Sequence, residues 1–380
     1  SVEPGTHVVC GHLGFLAVPD AKEVMVIGLG TGQTGGAAAS HPTAQVTVAE
    51  LSEPVLEVAR QFAAFNSNAM NHPRVDVVLA DGRDVLRAAP DDHFDIVVSM
   101  PTNPWIVGVS DLFTVEHLEM VRRKLTDKGV LVQWLHYYEM SDEIVHQLLC
   151  SLHRVFPHQL VFRLEHGDLG IISADTPLQI NAESIKKLFA EPSVLAELRS
   201  HNNHQIPVDV DQLMVMQLCG EETVNQVCKD FDSPLQQLFP TVEYRAPRAF
   251  FVGRSADALL TRLDTRRNSE ADTIMGRDPT LRTLTGERRQ RLHRFLRDTN
   301  YRDESLLIGA TAPADDNPIQ GAIEALGLPN PASVTADGHA AVCAVIEKGA
   351  PWLVQGFQTM LGPASVEPKA AFWAQRCAQR

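Results

Sequence analysis

From residue 23 onward the chain alternates short apolar runs with stretches of helical period. Val24, Met25, Val26 and Ile27 form an uninterrupted apolar run, the pattern of a strand buried on both faces, and it ends at Gly28-Leu29-Gly30-Thr31-Gly32. Small residues over 35–40 predict a short helix that can lie close to a sheet. A second strand is expected over 45–49, then a helix over 53–66 that Ser52 caps and whose Val55, Leu56, Ala59 and Phe62 share one face. Strands follow over 75–79 and 94–99, a helix over 115–125, a Lys128-Gly129 turn and a strand over 130–135. Ser141 caps a helix over 142–155. Two strands, 159–164 and 169–173, are joined too closely for a parallel crossover and predict an antiparallel edge.

Such alternation predicts an α/β architecture with a mostly parallel seven-stranded sheet and helices on both faces. It divides the chain into an N-terminal segment 1–22, a Rossmann-like domain 23–175, a helical extension 176–253 and a helical C-terminal region 254–380. Candidate helices in the extension lie at 182–189, 194–200 and 210–219, and the last region is rich in Arg between Arg262 and Arg302.

Composition narrows the function. The 380 residues carry a formal charge of −14 and no Lys/Arg-rich block, which argues against a nucleic-acid partner. No apolar run approaches the roughly 18 residues a membrane helix needs. The first residue is Ser1, and the natural protein is expected to begin earlier, which leaves a membrane segment upstream open. Cys10, Cys150, Cys219, Cys228, Cys343 and Cys377 are widely spaced, with no CxxC pair and no zinc-like Cys/His cluster. Buried thiols, a reducing compartment and no metal are the expectation.

The chemistry gathers at strand ends. A glycine loop between a buried strand and a helix lets the backbone approach a ligand, and an acid at the next strand end can accept both hydroxyls of a ribose. Gly28, Gly30 and Gly32 provide the loop, Glu50 the acid, and Asp81-Gly82 a third strand end where a carboxylate can take an adenine amine. Together they predict a nucleoside site.

The runs 23–50 and 77–84, the loop Met100-Pro101-Thr102-Asn103-Pro104-Trp105 and the stretch Glu243-Tyr244-Arg245-Ala246-Pro247-Arg248 resemble the spermidine synthase (polyamine aminopropyltransferase) superfamily, within the class I S-adenosylmethionine-dependent transferase fold. The likeness is greatest to bacterial spermidine synthase-like proteins that often carry a membrane-embedded N-terminal half. It spans about residues 6–251 and leaves 254–380 unmatched. The resemblance implies S-adenosylmethionine or its decarboxylated form as co-substrate. Gly28, Gly30 and Gly32 would line its methionine end, Glu50 would hold the ribose, and Asp81 with Gly82 the adenine. Thr31, Gln33, Leu51, Ser99, Met100 and His12 complete the implied donor-side set, with His7 and Gln133 at further family positions.

Several positions depart from that pattern. Met100 stands where polyamine synthases place an aspartate, Asn103 at the second acidic position of the loop, and Thr31 at a donor-contacting aspartate. Leu235-Gln236-Gln237-Leu238 replaces a stretch resembling Asn-Thr-Asp-Asp, and the preceding β-hairpin domain is missing. Donor binding is therefore expected to be kept and polyamine handling lost. Asn103, His136 and Tyr137 are the catalytic candidates, with His136 able to serve as a general base. Trp105, Tyr138 and Glu139 lie nearby, and the Trp134-Tyr137-Tyr138 cluster reads as packing or as a substrate cage. Two readings remain: an alkyltransferase moving an aminopropyl or methyl group to a small-molecule acceptor, and a non-catalytic nucleoside-binding or scaffold homologue. Either is expected in the cytoplasm, alone or as part of a longer membrane-attached protein, with a homo-oligomer open.

Overall fold

The computed structural model describes residues 4–164, 167–201, 206–253, 255–264, 272–274 and 343, and the chain divides into two compact units, Ser1–Leu284 and Thr285–Arg380. In the first unit the chain runs α1 (Pro4–Leu13), β1 (Glu23–Ile27), α2 (Gln33–Ala39), β2 (Gln45–Glu50), α3 (Glu53–Gln61), β3 (Val75–Leu79), α4 (Gly82–Ala88) and β4 (Phe94–Ser99). It continues through α5 (Val115–Lys124), β5 (Leu125–His136), α6 (Asp142–Val155), β6 (His158–Arg163) and β7 (Asp168–Ala174). The extension comprises α7 (Ala182–Ala190), α8 (Pro192–Ser200), α9 (Val210–Met216), β8 (Gln217–Cys219), α10 (Glu221–Cys228), α11 (Thr241–Phe251) and α12 (Asp257–Leu263).

One sheet organises these elements, in the order β3-β2-β1-β4-β5-β7-β6-β8. Strands β3, β2, β1, β4 and β5 are parallel, and β7, β6 and β8 join antiparallel. The α/β class, the parallel majority and the antiparallel edge are as the sequence predicts. Helices cover both faces, so Val24, Met25, Val26 and Ile27 are all buried and no polar alternation is seen. On one face Met25, Val97 and Leu131 pack with Leu118 and Val121 of α5 and Leu148 and Leu152 of α6.

Four details differ from the sequence reading. The segment before the first strand forms α1, whose Val8, Val9, Cys10 and Leu13 are all buried; a helix covered on most sides shows no amphipathic stripe to read. The helix expected over 53–66 ends at Gln61. Strand β5 starts at Leu125 and runs through Lys128-Gly129, because Leu125 pairs with Phe94 ahead of a register shift. The helix expected over 210–219 stops at Met216, and the next three residues pair with β6 as an eighth strand, since the sheet edge offers unpaired backbone groups. Of the region 254–380, α12 belongs to the first unit; apart from residues 255–264, 272–274 and 343 it lies outside the described residues.

The cysteine expectation is corrected. Cys10 and Cys219 are thiols, but Cys150 of α6 and Cys228 of α10 form a disulfide because α10 packs on α6. Wide spacing in sequence concealed this pair. Among the described residues no helix is long and apolar enough to cross a membrane.

Candidate active site

The carboxyl ends of β1, β2 and β4 are held level by backbone hydrogen bonds. Gly28 N donates to Ala49 O and Met100 N to Ile27 O, each at 2.9 Å. Gly28 has φ +96°, and a Cβ there would lie 2.5 Å from the Met100 carbonyl oxygen, so only glycine lets these two strand ends approach. Gly30, at φ +51°, has nothing within 4 Å of the place a Cβ would take, which leaves an open face above the turn. Gly32 precedes α2. The turn is pinned from below by buried Asn66, whose Nδ2 donates to Thr31 O and Ala59 O, while Thr31 Oγ1 donates to Gln33 Oε1.

Glu50 ends β2 and bridges two loops. Its Oε2 accepts from Leu29 N at 3.0 Å and its Oε1 from Ser52 N at 2.8 Å. An ionised carboxylate offers about four acceptor positions, so two remain for vicinal hydroxyls. Leu51 is exposed beside it.

Asp81 is more committed than the sequence suggested. Its Oδ1 accepts from Arg83 N at 2.8 Å, capping α4, and its Oδ2 accepts from Arg83 Nη2 at 2.7 Å. The Arg83 hydrogen bonds hold the Asp81 carboxyl below its ordinary range. Arg83 Nη1 continues to Asp111, an ion pair that sequence reading missed because its partners are 28 residues apart. Gly82 packs on Ile27, where a Cβ would lie 2.7 Å from Cγ2.

The other end of the site carries buried polar atoms without hydrogen-bond partners, Trp134 Nε1 and both ring nitrogens of His136, whereas Ser99 Oγ and Gln133 Oε1, equally without partners, lie on the opposite side of the sheet with the core. Ser99 and Gln133 are register partners on β4 and β5. His136 is wholly buried, with Trp105 edge-on at 5.1 Å, Trp134 at 5.1 Å and Tyr138 at 4.7 Å between ring centroids. Burial lowers its pKa from 6.5 to about 4, which makes it a neutral imidazole at pH 7. Met100 is buried, and Asn103 is half-buried with its carbonyl accepting from Ile106 N. The loop beyond is anchored by Glu243 of α11, whose Oε1 accepts from Gly108 N at 2.8 Å and Ser110 Oγ at 3.0 Å.

Two candidates are not brought to this cluster. Tyr137 lies on the opposite side of the β5 end and packs in the core with Met140 and Ile144, as residue alternation along a strand requires. The aromatic group is therefore Trp105, Trp134 and Tyr138 around His136. His12 lies near His41, beyond the carboxyl end of α2, whereas the glycine turn precedes the amino end of that helix. Both of its ring nitrogens are engaged, Nδ1 with His41 Nε2 at 3.0 Å and Nε2 with Glu197 Oε2 at 2.8 Å.

Two buried histidines, His136 and His117 of α5, set a pH dependence. Burial, reinforced by Arg83, also brings buried His117 to about 4. Both folded values lie below the unfolded 6.5, so their contribution is fully present above pH 6.5 and is lost as pH falls toward 4, each on the order of 3 kcal/mol. Urea midpoints should therefore fall between pH 7 and 4.5, and His136→Phe should flatten the profile. A midpoint unchanged over that window would count against two buried neutral imidazoles.

Residues 3–164 match the spermine/spermidine synthase domain. Putrescine N-methyltransferase 2 of Nicotiana tabacum is 30% identical over 151 residues, 38% of this chain and 41% of that protein. Spermidine synthase 1 of Pisum sativum is 29% identical over 140 residues, 35% of this chain and 42% of that protein. The match thus spans about two fifths of these relatives. Among solved structures, spermidine synthase from Thermotoga maritima gives a TM-score of 0.45 at 20% identity, covering 60% of this chain and 75% of that one. Human methyltransferase-like protein 13 in complex with SAH gives 0.39 at 22%, covering 52% and 90%.

Proposed function

We propose that the spermine/spermidine synthase domain formed by residues 3–164 works here as an alkyltransferase that takes S-adenosylmethionine or its decarboxylated form as co-substrate and delivers a methyl or aminopropyl group to a small acceptor other than a diamine. Relatives named for both transfers, a putrescine N-methyltransferase and a spermidine synthase, support the transferase class. The observation that carries the donor site is Glu50, fixed by Leu29 N and Ser52 N at the rim of the open glycine turn with acceptor capacity to spare. Thr31, Gln33 and Ser99 border the same strand ends. Transfer from a sulfonium depends mainly on alignment, because the leaving group is already present. A neutral His136, at about 4 a weak base, suits an acceptor that needs orientation rather than strong deprotonation.

Glu50→Ala removes charge-assisted hydrogen bonds and is expected to weaken donor binding by about 1.5–3 kcal/mol. Calorimetry with S-adenosylmethionine and with its decarboxylated form measures this. Unchanged affinity for both would end the assignment. Mass spectrometry of the nucleoside products then separates the transfers: S-adenosylhomocysteine for methyl, methylthioadenosine for aminopropyl.

A second reading, donor binding without turnover, is favoured by one feature, the engagement of Asp81 by Arg83 where an adenine amine was expected. It predicts donor binding with no product from any acceptor. We place the chain in the cytoplasm, where disulfides are usually transient and either catalytic or redox-sensing.

A further inference from the structure

The segment after α10 behaves as a strap across the acceptor end of the site, and the Cys150–Cys228 bond fixes its start. Leu235 N donates to Ser151 Oγ at 2.7 Å, Leu235 O accepts from Val115 N at 3.0 Å, and Thr241 Oγ1 donates to Gln147 Oε1 at 3.0 Å. Glu243 then holds Gly108 and Ser110, the Phe250 ring lies 5.6 Å from Trp105, and Ala256 N donates to Tyr137 O at 2.9 Å. Trp105, Leu112 and Phe113 seat the two ends of this loop on the core, and its tip has little packing of its own. Val107 is 85% exposed, and a Cβ on Gly108 would meet nothing within 4 Å. Trp105, at its start, is the ring set edge-on to His136.

The sulfurs sit beside His146 of α6, a ring nitrogen of which lies within 4.8 Å of both, while its Nε2 is 3.0 Å from Val227 O. An imidazole there can carry the proton that balances a thiolate formed by exchange. Cys150 and Cys228 are 2% and 8% exposed, so entry is easier at Cys228, the last residue of α10.

We propose that Cys150–Cys228 is a redox modification site that sets the order of the loop 103–114. This rests on the reading of that loop as the acceptor side. In the forward step a small dithiol attacks the disulfide: the S–S bond breaks, Cys150 and Cys228 become thiols, and the dithiol leaves as its cyclic disulfide. A small-molecule disulfide such as oxidised glutathione reverses it, taking the two protons and two electrons as two thiols.

The test uses the full chain, oxidised or treated with dithiothreitol, with alkylation mass spectrometry to follow the two cysteines. Reduction should expose two alkylatable thiols and speed hydrogen exchange in 103–114 and 235–251 by tenfold or more. Affinity for S-adenosylmethionine should stay within twofold, and oxidised glutathione should restore protection. Cys228→Ser should behave as the reduced chain. Unchanged exchange in 103–114, loss of circular dichroism on reduction, or failure of oxidised glutathione to re-form the bond would each overturn the proposal. If S-adenosylmethionine binds neither form, the transferase reading fails, whereas the exchange result still decides the coupling.

Discussion

Replacing Glu197 with Ala is expected to destabilise the first unit by about 3–5 kcal/mol, the usual cost of removing one partner from a buried charged network. Glu197 sits on α8, 5% exposed, and accepts from both His12 at 2.8 Å and His201 at 2.6 Å, while His12 is joined onward to His41 at 3.0 Å. Burial pushes its pKa up, but the two imidazole hydrogen bonds outweigh that and hold the carboxyl at about 2 against an ordinary 4.5. It is therefore ionised at all working pH values. Its depressed value contributes stability above about pH 4.5 that is lost as pH falls toward 2. The alanine variant loses the charge and leaves two imidazole N–H groups without an acceptor inside the protein. Urea unfolding at pH 7 measures the loss, and a change below about 1 kcal/mol would show that water already satisfies these groups.

The same network shows why part of the molecule was hidden in the sequence. Strand and helix period placed β1 to β4 and α6 closely, because burial of β1 on both faces and the alternation of element types leave a local record. His12, His41, Glu197 and His201 leave none: the partners are up to 185 residues apart, and their chemistry exists only after α8 folds onto α1. The Cys150–Cys228 bond and the Arg83–Asp111 pair were concealed in the same way.

Within the candidate site, the glycine turn and Glu50 were legible because backbone conformation and strand-end acids are dictated by position along a strand. Asp81 was legible as a residue but not in its partner, since Arg83 two positions later reads as an ordinary surface charge. On β5 the alternation rule itself could have separated Tyr137 from His136, because neighbours along a strand face opposite sides. Glu243 stood out in its Glu-Tyr stretch, yet its hold on Gly108 and Ser110 depends on how α11 crosses the loop.

Putrescine with decarboxylated donor is expected to give turnover more than tenfold below that of ordinary polyamine synthases. An alkylamine has a pKa near 10.4, so presenting its neutral form at pH 7 costs roughly 3 units, on the order of 4–5 kcal/mol. A carboxylate beside the amine lowers that cost by orienting the diamine and taking up its proton. Here the loop offers buried Met100 and half-buried Asn103, neither of which accepts a proton near neutral pH. Two carboxylates that border the loop are engaged elsewhere, Asp111 with Arg83 and Glu243 with Gly108 N and Ser110 Oγ, which leaves Glu139 as the nearby acid whose rearrangement would undo this expectation. His136 cannot take their place, because its surroundings favour the neutral ring and its about 4 lies far below the pKa of an alkylammonium. Release of methylthioadenosine follows the reaction. Turnover within tenfold of a polyamine synthase would show that another group handles the proton, whereas Met100→Asp should raise putrescine turnover by tenfold or more if the missing carboxylate is what limits it.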